Sequence, residues 1–329
     1  MRTPASRWAV PLATALAALG AWAPAGVARE PRLTVAAAEA EAALTCAAEI
    51  RPSRPAPVLF VPGTGSDGSQ VIALGRPAFD AMGRSLCSLT LPDRTTADMQ
   101  VSSQYVVRAI RSLARRAGRP IAVAGVSQGG VLARIALTYW PSLRPRVTDV
   151  VTAAAPHHGT TTVNTAVCAA GGCPPALWQQ ATGSRLLAAL GAMPDETPGA
   201  LGWTTVRSTS DELVRPQTGP GATSALDGAT NLVIQRMCPG RTTNHLATTV
   251  DSVTIAALAD AVEHPGPARA RRLPAAVCDE PFGAGLNQQL TQLFLDIAGE
   301  RYGAGTAGVP RVLEEPPVRW WMRRAGLGR

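Results

Sequence analysis

In Gly125-Val126-Ser127-Gln128-Gly129, followed by Gly130, a serine stands with a glycine two residues to either side. G-x-S-x-G suits a sharp strand-to-helix turn. Such a turn is crowded, so small residues must flank it, and it lifts the serine Oγ clear of the sheet. The chemistry open to that oxygen is attack on an acyl carbon. A hydroxyl at its free pKa is a poor nucleophile, so it needs a base and a group that orients the base. Four histidines are available. His157 and His158 follow an apolar run, His245 lies in the loop Thr242-Thr243-Asn244-His245, and His264 stands before Pro265 as a solvated helix end would. The order that accompanies a nucleophile elbow is serine, acid, histidine. It selects His245 and leaves His157 and His158 as a polar wall beside the elbow, with His157 a candidate for lining the pocket mouth.

The acid must fall between Ser127 and His245. Asp195, Asp211 and Asp227 are the aspartates there. Asp211 comes directly after a strand-like run at 203–207, whereas Asp195 and Asp227 sit in Gly/Pro-rich loops and read as turn residues. Asp211 is therefore the expected acid. Charge that develops on the attacked oxygen also needs donors. The residue after the nucleophile supplies one backbone N–H, here Gln128, and the loop after an earlier strand supplies another. That loop is Gly63-Thr64-Gly65, where Thr64 can add its hydroxyl.

These residues must be positioned by elements, and the pattern of the chain supplies them. Residues 58–61, 85–91, 121–126 and 147–155 read as buried strands, and 203–207 and 232–235 continue the series. Residues 98–116 place Val101, Tyr105, Ala109, Ile110 and Leu113 on one helical face, with Gly118 and Pro120 as the stop. Residues 128–140 form a helix that Pro141 ends; 246–262 read as one long helix and 286–297 as another. A short helix fits within the Ala/Glu-rich 29–45, and 160–200 suits a small helical cap. Alternating strands and helices with short connections predict an α/β fold: a mostly parallel sheet with helices on both faces.

Composition bounds the rest. Hydrophobic residues make up 46% and charged residues 16%, enough for a large core. The net charge is +8 and all 31 cationic side chains are arginine. The arginines are spread out with no nucleic-acid motif, so no nucleic-acid partner is expected. Residues 1–28 carry Arg2 and Arg7, an apolar stretch over 8–23, and small residues after it, the layout of a cleaved export signal. Six cysteines in an exported chain predict three disulfides, for which 15 pairings exist. Cys168 and Cys173 enclose only Ala-Ala-Gly-Gly and could close a local loop. Zinc-type cysteine spacings are missing, so no metal or other cofactor is expected. The reading divides the chain into a signal segment (1–28), a lead-in (29–45), a catalytic domain (46–300) and a tail (301–329). The tail is Gly/Pro/Arg-rich and expected to be loosely held. Its Val318-Arg319-Trp320-Trp321-Met322-Arg323-Arg324 suits transient contact with a lipid–water interface, although a docked or loose tail is the simpler reading.

Several longer segments resemble a known family. Ala43-Leu44-Thr45-Cys46, Val61-Pro62-Gly63-Thr64-Gly65, Ser127-Gln128-Gly129-Gly130, Trp178-Gln179-Gln180-Ala181-Thr182-Gly183-Ser184, Asp211-Glu212-Leu213-Val214-Arg215-Pro216-Gln217 and Asn244-His245 occur in the order seen in Candida antarctica lipase B-like enzymes. The likeness runs from about Cys46 to about Cys278. It implies an α/β-hydrolase fold, a Ser127–Asp211–His245 triad, an oxyanion hole from Thr64 and Gln128, and the pairs Cys46–Cys87 and Cys238–Cys278. It also implies hydrolysis of carboxylic esters, acylglycerols included, without a metal, and it marks Val126 and Gln179 beside His157 as pocket candidates. The family's C-terminal disulfide has no cysteines here, and Cys168 and Cys173 are extra. They are expected to pair and stiffen the cap. Val126 stands where relatives can carry a bulky aromatic, which leaves more room for the alcohol part of an ester. The expectation is a secreted, monomeric lipase or esterase whose partner is an ester or lipid substrate. An acyltransferase or polyester depolymerase would use the same triad, and a catalytically inactive binding protein is the alternative from another class.

Overall fold

The computed structural model describes residues 30–300 and 306–324; the expected signal segment lies outside them. Seven strands form one sheet: β1 (Leu44–Cys46), β2 (Val58–Val61), β3 (Leu86–Leu89), β4 (Ile121–Val126), β5 (Val147–Ala153), β6 (Gly202–Arg207) and β7 (Thr230–Val233). Their order is β1-β3-β2-β4-β5-β6-β7, and every neighbouring pair is parallel except β1 with β3. Successive side chains in a strand point to opposite faces. In β4, Ile121 and Val123 enter one apolar cluster and Ala122 and Ala124 the other; in β2, Leu59 and Val61 divide from Val58 in the same way. Both faces are thus buried, which is why these strands read as continuous apolar runs and not as alternating ones.

Helices cover each face. In chain order they are α1 (Ala37–Ala42), α2 (Gly68–Ala81), α3 (Pro92–Thr95), α4 (Met99–Ala117), α5 (Gln128–Tyr139), α6 (Thr165–Gly171), α7 (Pro175–Gln180), α8 (Arg185–Gly191), α9 (Ile234–Met237), α10 (His245–Thr248), α11 (Ser252–Glu263), α12 (Gln288–Glu300) and α13 (Trp320–Arg324). Helices α4 and α5 pack on one face, and α2 and α11 on the other. Asp98 caps the start of α4 by accepting from Gln100 N at 2.9 Å, and Gly118 ends it in the left-handed conformation, φ 64°. The expected α/β architecture is therefore present. Among the described residues, no helix is long and apolar enough to cross a membrane.

Some expectations need correction. Helix α2 was not legible, because it opens with Gly68 and holds Pro77, both poor helix signals. Its start is specified instead by Asp67, whose side chain accepts from Ser69 N and Gln70 N while Gln70 reaches back to the Asp67 N–H, a reciprocal cap. The single helix expected over 246–262 is two, α10 and α11. Asp251 divides them, because its carboxylate caps α11 through Val253 N at 2.9 Å and is tied to Thr243 and Arg241. The boundary between lead-in and catalytic domain does not exist as drawn: it cuts β1, which pairs with β3, and Val35 and Ala40 of the lead-in are already core.

The described part of the tail is docked, not loosely held. The segment leading to α13 crosses the cap: Val312 exchanges both backbone hydrogen bonds with Cys173, and Trp178 Nε1 donates to Val312 O at 3.0 Å. Glu315 accepts from Arg185 N and Leu186 N at 2.8 and 2.9 Å, serving the first turn of α8. Trp321 lies 5.0 Å, centroid to centroid, from both Tyr139 and Trp140 and is buried with Val318 and Met322. That burial removes Trp321 from any role at a lipid surface. Elsewhere, guanidinium groups tie distant loops by donating to backbone carbonyls: Arg84 to Val262 O, Arg119 to Pro52 O, and Arg241 to Cys278 O and Glu280 O. Truncating a buried tryptophan to alanine removes apolar area and leaves a cavity. Trp321→Ala is therefore expected to lower unfolding stability by about 3 kcal/mol in urea titrations. A change below about 0.5 kcal/mol, the scale of a surface substitution, would mean the tail is not part of the core.

Candidate active site

Ser127 stands at the turn between β4 and α5, and its backbone is at φ 52°, ψ −129°. A non-glycine residue there is strained, so the neighbours must enforce it. They do so by close approach. A Cβ on Gly129 would lie 2.1 Å from Val61 O, and one on Gly125 would lie 2.7 Å from Gly129 C. The glycines of the motif are thus fixed by contact between backbones, and Ser127 N donates to Ala153 O at 2.8 Å. The turn leaves Oγ facing His245 Nε2 at 3.1 Å.

His245 is the first residue of α10. Asn244 caps that helix through Ala247 N at 2.8 Å, and Glu212 Oε2 accepts the His245 backbone N–H at 2.9 Å. On the other side of the ring, His245 Nδ1 is 2.8 Å from Asp211 Oδ2. A carboxylate only accepts, so Nδ1 carries the hydrogen and Nε2 presents a lone pair to Ser127. Asp211 Oδ1 accepts from Leu213 N at 2.9 Å and Val214 N at 2.8 Å, which fixes the plane of the carboxyl. The three side chains are nearly enclosed: Ser127 is 7% exposed, Asp211 4% and His245 3%. Three residues from three separate loops thus form one hydrogen-bonded line.

The loop after β2 lies beside this line. A Cβ on Gly63 would be 3.2 Å from Ser127 Cβ and 3.7 Å from Val126 Cγ1, so this loop, Val126 and Ser127 are in mutual reach. Thr64 Oγ1 donates to Gln128 Oε1 at 2.7 Å. Gln128 opens α5, and the first N–H groups of a helix have no partner within it. This is the arrangement that lets such a helix start face a developing negative charge.

Two pocket candidates are placed differently from expectation. Gln179 is fully buried and commits both ends of its amide to the start of α4, accepting from Met99 N and donating to Asp98 Oδ1, each at 2.7 Å. Its neighbour Gln180 is the one that reaches the site: Nε2 donates to Thr64 Oγ1 at 3.0 Å and to Gln128 Oε1 at 3.2 Å. Both glutamines belong to the Trp178-Gln179-Gln180 segment, so the signal was present but a short helix decides which one faces inward. His157 is 1% exposed, and its Nε2 faces Thr152 Oγ1 at 3.1 Å, behind the elbow. Burial holds its pKa well below the ordinary imidazole range, with Arg134 and His158 adding to the effect, so it is a neutral core histidine. His158 braces loops instead, with Nε2 2.6 Å from Glu196 Oε1. Burial works against the Glu196 charge, but the bond from His158, one from Asp227 N and the Arg134 charge together bring its pKa to about 2. Glu212 and Gln180, which hydrogen-bond to His245 N and to Thr64 and Gln128, are neighbours of the site that sequence reasoning missed. His264 lines a recess of about 660 Å³ with Arg84 and Asp149. That recess is at the end of the sheet where β4 and β5 begin, away from Ser127. Asp195 caps its own turn through Thr197 N, as a turn residue does.

Cysteines pair as Cys46–Cys87, Cys168–Cys173 and Cys238–Cys278. Among the described residues, no group of three or more His, Cys, Asp or Glu side chains could hold a metal ion.

Comparison with known proteins supports the resemblance read from the sequence. Lipase B of Pseudozyma antarctica is 34% identical over 205 residues, which cover 60% of this chain and 58% of that protein. The chain therefore spans somewhat over half the length of this curated relative. The crystal structure of Aspergillus fumigatus lipase B superposes with a TM-score of 0.80 at 28% identity, covering 89% of this chain and 73% of that one. No family model matches. The chain is similar to lipase B proteins in sequence and in fold, and the fold is that of the α/β-hydrolases.

The site makes one prediction about how Ser127 is activated. Asp211→Asn keeps the shape but favours the wrong imidazole tautomer. Labelling of Ser127 by a fluorophosphonate is expected to slow by about 10,000-fold with the circular dichroism spectrum unchanged. An unaltered labelling rate would show that Asp211 does not activate the serine.

Proposed function

We propose that this protein is a secreted hydrolase of carboxylic esters, acylglycerols among them, acting through an acyl-enzyme on Ser127. The observation that carries the reading is the hydrogen-bonded line from Ser127 Oγ through His245 to Asp211. Ser127 Oγ attacks the ester carbonyl as His245 Nε2 takes its proton. Asp211 holds the ring and balances the cation that forms. The carbonyl oxygen gathers negative charge, which the Gln128 N–H and the Thr64 hydroxyl stabilise; a single donor of this kind contributes roughly 3 kcal/mol in the transition state. His245 then passes the proton to the leaving alkoxide. Water enters along the same path, with His245 again as base, and releases the acid. No cofactor takes part in this sequence.

The names of the two similar proteins, lipase B in each case, agree with the chemistry. Three disulfides fit an oxidising compartment and hence export. Acyl transfer to an alcohol, or cleavage of a polyester, would run on the same machinery; product analysis with a competing alcohol separates these from hydrolysis. An inactive binding protein has no need for a buried, fully oriented histidine beside an elbow serine.

Val126 adds a statement about specificity. It is the immediate neighbour of Ser127 and packs beside Gly63, so a small side chain there leaves space on the alcohol side. Ser127→Ala should lower p-nitrophenyl ester hydrolysis by roughly a million-fold, and a variant that retained the parent rate would sink the proposal. Val126→Trp should lower kcat/KM for esters of bulky secondary alcohols by about tenfold or more relative to ethyl esters. Equal losses on both substrate classes would remove Val126 from the alcohol side.

A further inference from the structure

A hydroxyl has a single hydrogen to give. In the structure, that of Thr64 goes to Gln128 Oε1, 2.7 Å away, so it is not available to a substrate. Before Thr64 can stabilise charge on a substrate oxygen, its hydrogen must leave Gln128. The Gln128 side chain is fully buried, and a buried acceptor stripped of its donor is strongly disfavoured.

Gln180 resolves this conflict. It is 5% exposed, and its Nε2 lies 3.2 Å from Gln128 Oε1 and 3.0 Å from Thr64 Oγ1. A third contact, 3.1 Å to Ala176 O one turn earlier in α7, takes one of the two amide hydrogens and decides which end of the amide faces the pair, so the other hydrogen is shared between Gln128 Oε1 and Thr64 Oγ1. Reversed, the Gln180 oxygen would meet acceptors at Ala176 and Gln128. With Gln180 so fixed, Gln128 cannot turn its own amide either, because two N–H groups would then oppose each other. Gln128 Nε2 is accordingly left buried without a partner. We infer that Gln180 is a positioning residue of the oxyanion site: the hydrogen its amide shares between Gln128 Oε1 and Thr64 Oγ1 settles on Gln128 Oε1 as the Thr64 hydrogen swings to the charged oxygen, so the buried acceptor stays satisfied. No covalent bond changes in this step; one hydrogen bond is handed over. The inference rests on the hydrolase reading above.

A double-mutant cycle with Thr64→Val and Gln180→Met tests it, using the full chain and p-nitrophenyl butyrate. In the parent, Gln180→Met is expected to lower kcat by about tenfold and leave KM within about twofold, because the interaction matters in the transition state alone. In the Thr64→Val background, which has no hydroxyl to aim, the same change should lower kcat by less than about twofold. Equal losses in both backgrounds, or no loss in the parent, overturn the assignment. Gln180→Glu gives a second readout that does not depend on Thr64→Val folding. An ionised carboxyl cannot donate, so Thr64 would give its hydrogen to it; a protonated one regains a donor. The ratio of variant to parent kcat should therefore rise as pH falls from about 8 to about 5, through the range of a buried carboxyl. A ratio that does not change with pH also overturns it. Ser127→Ala measured in parallel separates the two claims: ester hydrolysis that survives this substitution defeats the hydrolase reading, whereas a Ser127-dependent rate with an additive cycle defeats the role of Gln180 alone.

Discussion

The backbone at Ser127 sits in a left-handed conformation that L-residues avoid, at a cost of about 1–3 kcal/mol. It persists because α5 lies so close to β2 and β4 that the chain has no relaxed path between them. Gly129 touches Val61 O with no space for a side chain, and Gly130 would strike Ala155 and Thr152 if it carried a Cβ. Helix α5 is buried along its whole length, so tertiary packing holds the elbow closed. Everything functional in the site refers back to this one turn. It sets where Oγ points, and it places the first N–H of α5 next to it. It also brings Gly63 and Thr64 of the preceding crossover within reach.

The partners of Ser127 come from loops, which are the least constrained parts of an α/β fold. Here polar ties hold them. Thr160 donates its hydroxyl to Leu213 O and accepts from Arg215 N, so the loop after β5 braces the loop that carries Asp211. Asp251 joins Arg241, Thr243 and the start of α11, and so fixes the approach to His245. Ser208 and Glu212 reach from the acid loop to the histidine loop. The cap is anchored in a similar way, by Val312 against Cys173 and by Glu315 at the start of α8. Precision in the line from Ser127 to Asp211 thus derives from side chains outside that line.

Much of this was legible in the residues. The strands that are buried on both faces announced themselves as apolar runs, and α4 as a 3.6-residue pattern with a proline and a glycine at its end. The elbow motif in its strand–helix context, with chain order, was enough to select Asp211 and His245, because a parallel sheet brings the loops that follow its strands to one end of the sheet, at the carboxyl ends of the strands. What stayed hidden was masked by local composition or depends on contacts distant in sequence. Helix α2 begins with a glycine and contains a proline, and its reciprocal cap at Asp67 is a local signal that goes unseen unless capping is weighed above propensity. Whether Gln179 or Gln180 faces Thr64 is a rotation of about 100° on a short helix, set by the docking of α7 and not by either residue. The tail looked loose because arginine, glycine and proline dominate its composition; Trp321 fills a space between Tyr139 and Trp140 that no local pattern reveals.

The absence of lysine has a consequence beyond composition. Ties such as Arg84 to Val262 O, Arg119 to Pro52 O and Arg241 to Cys278 O rest on guanidinium groups, which offer five N–H donors in a planar fork where an ammonium offers three on a flexible stem. One such group can therefore join two carbonyls of a loop at once, as Arg241 does with Cys278 O and Glu280 O. The side chains likewise present no primary amine to an acylating or cross-linking reagent.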